Sequence, residues 1–225
     1  MDAIELDQAA LRAVIDAVAM ARAQSARLGL AALRAEAGGG ETAREQVEAA
    51  RTGVAQGLAL VAGDGPMEGH AAANLRWIRA VAAGEPGLVD RFRAFDALSA
   101  RLLDAVRSDG VTPALAGEVV VAGSDDFYDA TTRLMVLLWT DLETRRQGSV
   151  AAAKEAIEAV QAAFAGLSDR AAQAHILALN ARIEAAHARE AAFGVIAEEM
   201  GGLADAIASM AKGAGRTLEE AQDRL

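Results

Sequence analysis

The chain has 225 residues and a formal net charge of −10, from 22 Lys and Arg against 32 Asp and Glu. This acidic excess argues against nucleic acid as a partner, because duplex binding needs a basic face that displaces counterions. Hydrophobic residues make up 53% of the chain and aromatic residues only 4%, which favours an all-α fold and argues against an ordinary aromatic core. With no cysteine, disulfides and cysteine zinc sites are excluded, and a reducing, cytoplasmic location is expected.

The N-terminal segment carries charged residues through its apolar positions, among them Glu5, Asp7, Arg12 and Asp16. Such a segment has the pattern of neither a signal peptide nor a membrane anchor. The longest uncharged apolar candidate elsewhere, residues 134–140, is bounded by Arg133 and by an aspartate and suits a buried helix turn. We therefore expect no membrane insertion.

Glycine and proline divide the first part of the chain into helices. The apolar spacing predicts helices over 2–36, 41–61, 67–83 and 88–108. Residues 109–123 give mixed signals: Val119, Val120 and Val121 would suit a short strand, but we interpret the segment as a connector or a helical turn. Ser124 is then the expected N-cap of a further helix that runs to Arg146. Residues 1–147 are predicted to form one helical, sensor-like domain.

The composition changes at Gly148, and the remainder carries the seven-residue repeats of a coiled coil. The outgoing helix, 149–190, has Ile157, Phe164, Ala171, Ala178 and Ala185 in one row and Val160, Leu167, Ala174, Ala181 and Ala188 in the other; the returning helix has Phe193, Met200, Ile207 and Ala214 beside Ile196, Leu203, Met210 and Thr217. These rows predict an antiparallel coiled-coil hairpin over 148–225. Because such a hairpin buries little surface, it is expected to dimerise into a four-helix bundle.

The turn of this hairpin carries a specific motif. Residues 173–190 read QAHILALNARIEAAHARE, and residues 193–204 read FGVIAEEMGGLA. Together they resemble the signalling tip of methyl-accepting chemotaxis proteins. The resemblance implies that the tip binds a chemotaxis coupling protein and a histidine kinase. The contact or packing residues that it implies are Ile176, Leu179, Asn180, Ile183, Glu184, His187, Val195 and Glu199.

This tip departs from the family pattern at four points. His175 stands in place of an asparagine, His187 in place of the trimer-contact arginine, and Arg189 in place of a glycine. Two residues of the family's turn are missing between Glu190 and Phe193. A tip shortened in this way is expected to bind a coupling protein without building a standard receptor array. No convincing methylation site is found.

The first helix carries a second, weaker resemblance. Residues 15–33, IDAVAMARAQSARLGLAAL, are similar to the N-terminal sensor domain of type IV pilus methyl-accepting transducers and of nitrate or nitrite sensor kinases. The resemblance implies that Arg22, in one motif with Ser25, binds a small nitrate-like anion at a dimer interface, where the planar guanidinium would match a planar oxyanion. The alternative is a flanking charge that extends to solvent beside a helical seam. Arg27 is expected to face solvent.

No constellation of nucleophile, base and phosphate loop supports catalysis, so the chain is not expected to be an enzyme. His175 and His187 lie twelve residues apart on one helix, which is unsuitable for joint metal ligation. Neither a metal nor a cofactor is predicted. Three functions stay open: a chemoreceptor-like signalling protein whose sensor domain controls the tip, an adaptor or inhibitor that keeps the tip surface without sensing, and a structural helical oligomer.

Overall fold

The computed structural model describes residues 6–7 and 11–222 and contains seven α-helices and no strand within them. The helices are α1 (Leu11–Glu36), α2 (Gly40–Ala62), α3 (Ala72–Gly84), α4 (Leu88–Arg107), α5 (Pro113–Ser124), α6 (Asp126–Ala188) and α7 (Ala191–Gln222). The all-α class is therefore confirmed. The chain divides into two compact units, Met1–Leu142 and Glu143–Leu225.

The first four predicted helices are present with modest changes at their ends. The predicted start of the first helix, at residue 2, lies outside the described residues. The start predicted at residue 67 is wrong, because residues 67–71 form turns and extended backbone and α3 begins at Ala72. Within the described part of the chain, no helix is both long enough and apolar enough to cross a membrane.

The segment interpreted as a connector is the helix α5. The hydroxyl of Thr112 accepts a hydrogen bond from the backbone N–H of Leu115 at 3.2 Å, and Pro113 occupies the first turn. A threonine cap followed by proline is a strong helix start. Val119 is fully buried on this helix, whereas Val121 is 59% exposed, so the β-branched run contributes one residue to the core of a helical unit and does not form a strand.

Two predicted boundaries near α6 are wrong. Ser124 is the last residue of α5, where its hydroxyl donates to the carbonyl of Val121 at 3.2 Å, and it is not the cap of the next helix. Gly148 does not interrupt α6, which continues from Asp126 to Ala188. A single glycine costs about 1 kcal/mol in a helix interior, and the alanine-rich sequence that follows outweighs that cost.

The core of the first unit contains a small aromatic cluster, contrary to the expectation from composition. Phe127 lies between two phenylalanines of α4, with ring centroids 4.9 Å from Phe92 and 4.4 Å from Phe95. Trp77 is also fully buried, and its indole N–H donates to a carboxylate oxygen of Asp141 at 2.7 Å. Four of the eight aromatic residues of the chain thus lie where α3, α4 and the start of α6 contribute to one core.

Helices α1 and α2 approach closely through small residues. A Cβ atom built on Gly57 would lie 2.7 Å from the Cβ of Ala21, a distance that real Cβ atoms do not adopt. Both residues are buried. The absence of a side chain at Gly57 therefore sets the separation of the two helices.

We expect Gly57→Ala to destabilise the protein by about 1–3 kcal/mol, because the added methyl group pushes α1 and α2 apart. Gly117→Ala is the matched control, since a Cβ at Gly117 on α5 would meet nothing within 4 Å. It should stabilise by about 0.5–1 kcal/mol through lower unfolded-state entropy. Urea unfolding followed by circular dichroism measures both, and equal effects of the two substitutions would contradict the close approach.

Candidate functional site

The turn between α6 and α7 is the candidate partner-binding site of the second unit. Helix α6 ends at Ala188 and α7 begins at Ala191. Arg189 has a left-handed backbone with φ of 57°, and the backbone N–H of Glu190 donates to the carbonyl of Ala185 at 3.0 Å. This is the helix-ending arrangement that normally selects glycine at the left-handed position. Arg189 is also the residue that replaces the family's glycine.

Small residues line the faces on which α6 and α7 meet. A Cβ on Gly201 would lie 3.7 Å from the Cβ of Ala178, and one on Gly194 would lie 3.9 Å from that of Ala185. The buried residues of the two helices in this unit are Ala171, Ala178, Ala185, Ala197, Ala204 and Ala211. We call these six residues the alanine seam. Its three residues on α6, Ala171, Ala178 and Ala185, belong to the first row predicted for the outgoing helix.

The rows predicted for the returning helix do not form this seam. Phe193, Ile196, Met200, Leu203 and Met210 are all more than half exposed, whereas the seam on α7 consists of alanines. Alanine allows two helices to approach more closely than large side chains do. The large apolar residues of α7 therefore lie beside the seam, without a partner helix from the described part of the same chain.

All eight predicted tip residues are exposed. Ile176, Leu179 and Ile183 expose 58%, 49% and 47% of their surface. At 100° per residue, the six tip residues of α6 fall within an arc of about 140° that lies opposite the alanine seam. We call these six residues the α6 tip face: Ile176, Leu179, Asn180, Ile183, Glu184 and His187.

The two remaining tip residues belong to a different surface. Val195 and Glu199 lie on the face of α7 that points away from its own part of the alanine seam. The seam therefore separates them from the α6 tip face. A single chain brings six of the eight predicted residues together and leaves the other two on the opposite side.

Arg22 and Ser25 lie in the first unit, on the wall of a groove of about 560 Å³ between α1 and α5. The guanidinium carbon of Arg22 lies 5.1 Å from the ring centroid of Tyr128, within the range of a cation–π contact. The hydroxyl of Ser25 is buried and faces two backbone carbonyl oxygens, that of Arg22 at 2.8 Å and that of Gly123 at 3.4 Å. Ser25 therefore directs its one hydroxyl proton to the protein itself.

The two histidines of the second unit lie in different surroundings. His175 pairs across the two helices with Asp205, with Nδ1 and Oδ1 2.9 Å apart, and His187 is exposed on the α6 tip face. Among residues 6–7 and 11–222, no group of three or more His, Cys, Asp or Glu side chains could hold a metal ion. His175 instead joins α6 to α7.

Sequence reasoning missed four residues that contact a histidine of α6 or line the groove beside Arg22. Tyr128 and Arg22 are far apart in the chain, and no local pattern connects them. Val120 and Gly123 of α5 also line the groove beside Arg22, but they fell in the segment interpreted as a connector. Asp205 gave no signal either, because its role depends on the helix opposite it.

Comparison with protein-family models, with curated proteins and with solved structures finds no significant match. The identification of the two candidate sites therefore depends on the residues of this chain and on their geometry.

Arg189→Gly should stabilise the turn by about 1 kcal/mol, because glycine adopts the left-handed backbone without the steric cost that a Cβ imposes. Hydrogen–deuterium exchange of the amides around the turn should slow about fivefold. Arg189→Ala is the control, since it removes the guanidinium but keeps the Cβ. Equal slowing in the alanine variant would show that the charge, and not the backbone, limits the stability of the turn.

Proposed function

We propose that this protein is a chemoreceptor-like signal-transduction protein whose α6–α7 turn docks a chemotaxis coupling protein and a histidine kinase. The observation that carries the proposal is the α6 tip face. Five of its six residues match the family motif, His187 being the departure, and all six are exposed on one side of the helix, away from the alanine seam. A cytoplasmic location follows, because those partners are cytoplasmic in the family that the tip resembles.

The chemistry of the α6 tip face suits a docking surface. Ile176, Leu179 and Ile183 expose apolar side chains at helical spacing, and Asn180 and Glu184 lie among them. Contiguous exposed apolar residues with polar neighbours are typical of protein–protein contact sites. A helix that only had to cover its own hairpin would not need apolar residues on this side.

The proposal includes a homodimer in which two antiparallel hairpins form a four-helix bundle. The alanine seam buries only small side chains, so α6 and α7 gain little stability from each other. The exposed apolar residues of α7 form a stripe beside the seam: Phe193, Ile196, Met200, Leu203 and Met210. A second copy placed against this stripe would supply the large apolar contacts that the single chain lacks.

We further propose that an anion near Arg22 controls the tip, as in the sensor domains that the first helix resembles. Within the described residues, no carboxylate pairs with Arg22, and its guanidinium lies at the wall of an open groove. A cation without a counter-ion in an acidic protein favours an anionic ligand. The groove thus favours sensing over an adaptor without ligand input.

Ile176→Glu should weaken binding to the host's coupling protein and histidine kinase by at least tenfold, since it places a charge at the centre of the α6 tip face. Surface plasmon resonance on the full-length chain measures the dissociation constants. Val136→Glu is the matched control, because Val136 is a similarly exposed apolar residue of the same helix that belongs to the first unit. Its binding should equal that of the wild type.

Two results would contradict the docking proposal. One is the absence of wild-type binding to both partners. The other is an equal loss of binding in Val136→Glu, which would indicate a general effect of added charge. Sedimentation of Ile176→Glu verifies that any loss of docking is not a loss of dimer.

Leu203→Glu should raise the dissociation constant of the homodimer by at least tenfold, because it places a carboxylate in the apolar stripe of α7. Analytical ultracentrifugation over a range of concentrations gives the constant. Ala172→Glu, an exposed change on α6, serves as the charge control. A wild-type chain that sediments as a monomer at all concentrations would reject the four-helix bundle.

A further inference from the structure

We propose that the groove between α1 and α5 binds a small monocarboxylate with an apolar body, held by its carboxylate on Arg22 and by its apolar part along the groove. The site deepens the anion control proposed above, and its effect on the tip rests on that proposed function. Binding itself depends only on residues of the first unit.

The walls of the groove are mainly apolar. Its volume is about 560 Å³, in the range of small-molecule pockets. The lining residues are Ala19, Arg22, Ala23, Ser25, Ala26, Gly29, Leu30, Leu33, Val120, Gly123, Ser124 and Tyr128. Leu30 and Leu33 expose 61% and 46% of their surface, so much of their apolar surface is accessible to solvent. A ligand with an apolar body would remove that surface from water.

The position of Arg22 determines the charge of the ligand. Among the described residues that line the groove, Arg22 is the one cationic residue, and none is acidic. Its guanidinium lies over the ring of Tyr128, which limits its freedom while its N–H groups stay available. A carboxylate matches the planar guanidinium through two parallel hydrogen bonds. The site therefore selects a carboxylate at one end of the ligand.

A bare oxyanion such as nitrate would use this site poorly. The hydroxyl of Ser25 points to the backbone carbonyls of Arg22 and Gly123, so it adds no donor for the anion. Nitrate would also leave the walls formed by Leu30, Leu33 and Val120 in water. A molecule must join a carboxylate to an apolar body if it is to bind both the guanidinium of Arg22 and the apolar walls.

The groove contains a residue of α6, the helix that also carries the α6 tip face. Tyr128 belongs to the first turn of α6 and contacts the guanidinium of Arg22. A carboxylate on Arg22 changes the charge above this ring and so weakens the cation–π contact. The ligand therefore acts on α6 through a named contact.

Isothermal titration calorimetry on the full-length chain tests the site with four probes. Octanoate and benzoate supply an aliphatic and an aromatic monocarboxylate, 1-octanol supplies the apolar body without the charge, and sodium nitrate supplies the charge without the body. We expect at least one monocarboxylate to bind at least tenfold more tightly than both octanol and nitrate. The experiment needs no coupling protein, so a failure of tip docking leaves its outcome unchanged.

Variants locate the binding in the groove. Arg22→Gln should weaken the binding of the carboxylate at least tenfold and leave octanol unaffected, whereas Arg27→Gln should change neither. Arg27 is the matched control because it is an exposed arginine of the same helix that does not line this groove. Ala26→Leu keeps the charge but fills the groove with a residue that favours helix, and it should also weaken binding at least tenfold. Thermal unfolding followed by circular dichroism verifies that each variant is folded.

Three outcomes would overturn the proposal. The first is that neither monocarboxylate binds the wild type. The second is that octanol or nitrate binds as tightly as the carboxylates. The third is that folded Arg22→Gln and Ala26→Leu bind like the wild type, which would place the binding elsewhere on the chain. A carboxylate that binds as expected but leaves tip docking unchanged would reject the control of the tip while the binding site stands.

Discussion

Close approach of helices through alanine and glycine is the constraint on which both units depend. At Gly57 in the first unit and along the alanine seam in the second, helices meet where neither carries a large side chain. Such contacts give little apolar burial for each residue, because a methyl group removes little surface from water. The larger apolar side chains must then either concentrate in one place or lie outside the contact. The first unit does the former: its large apolar side chains lie in one continuous core, which includes Phe92, Phe95 and Phe127.

In the second unit the large apolar side chains lie outside the contact between the helices, and its proposed function follows from that arrangement. Because the alanine seam occupies the inner faces, the large apolar residues of α7 and those of the α6 tip face are left on two different outer surfaces. Water contact with so much apolar surface is unfavourable for an isolated pair of helices. One surface suits a second copy and the other suits a docking partner. The same narrow seam thus explains both proposed associations.

The sequence predicted the helical class, because that class depends on local composition. The motif of the tip named candidate contact or packing residues, but it did not determine how they divide between two surfaces. The sequence did not predict α5, since the β-branched run at Val119 hid the stronger helix start at Thr112 and Pro113. It also placed the wrong rows of α7 inward. A heptad pattern identifies which residues are apolar, but the choice between alanine and large side chains at the contact depends on how close the helices come. The contact between Arg22 and Tyr128 joins distant segments, and no local pattern could reveal it.

Weak burial along the alanine seam also bears on how a ligand could control the tip. A ligand shifts a conformational equilibrium only by the difference between its affinities for the two states, and about 1.4 kcal/mol of difference gives a tenfold shift. Packings that differ by the sliding of small side chains are separated by less free energy than packings that expose large ones. Arg189 adds to this effect, because its left-handed backbone lowers the stability of the turn itself. A carboxylate contact at Arg22 that formed in only one of the two states would supply a free energy of the required size, since charge-assisted hydrogen bonds contribute about 1.5–3 kcal/mol. If large side chains packed between α6 and α7, a ligand would need a much larger difference in affinity between the two states to change the tip. The weak burial along the alanine seam therefore makes control by one small ligand physically reasonable.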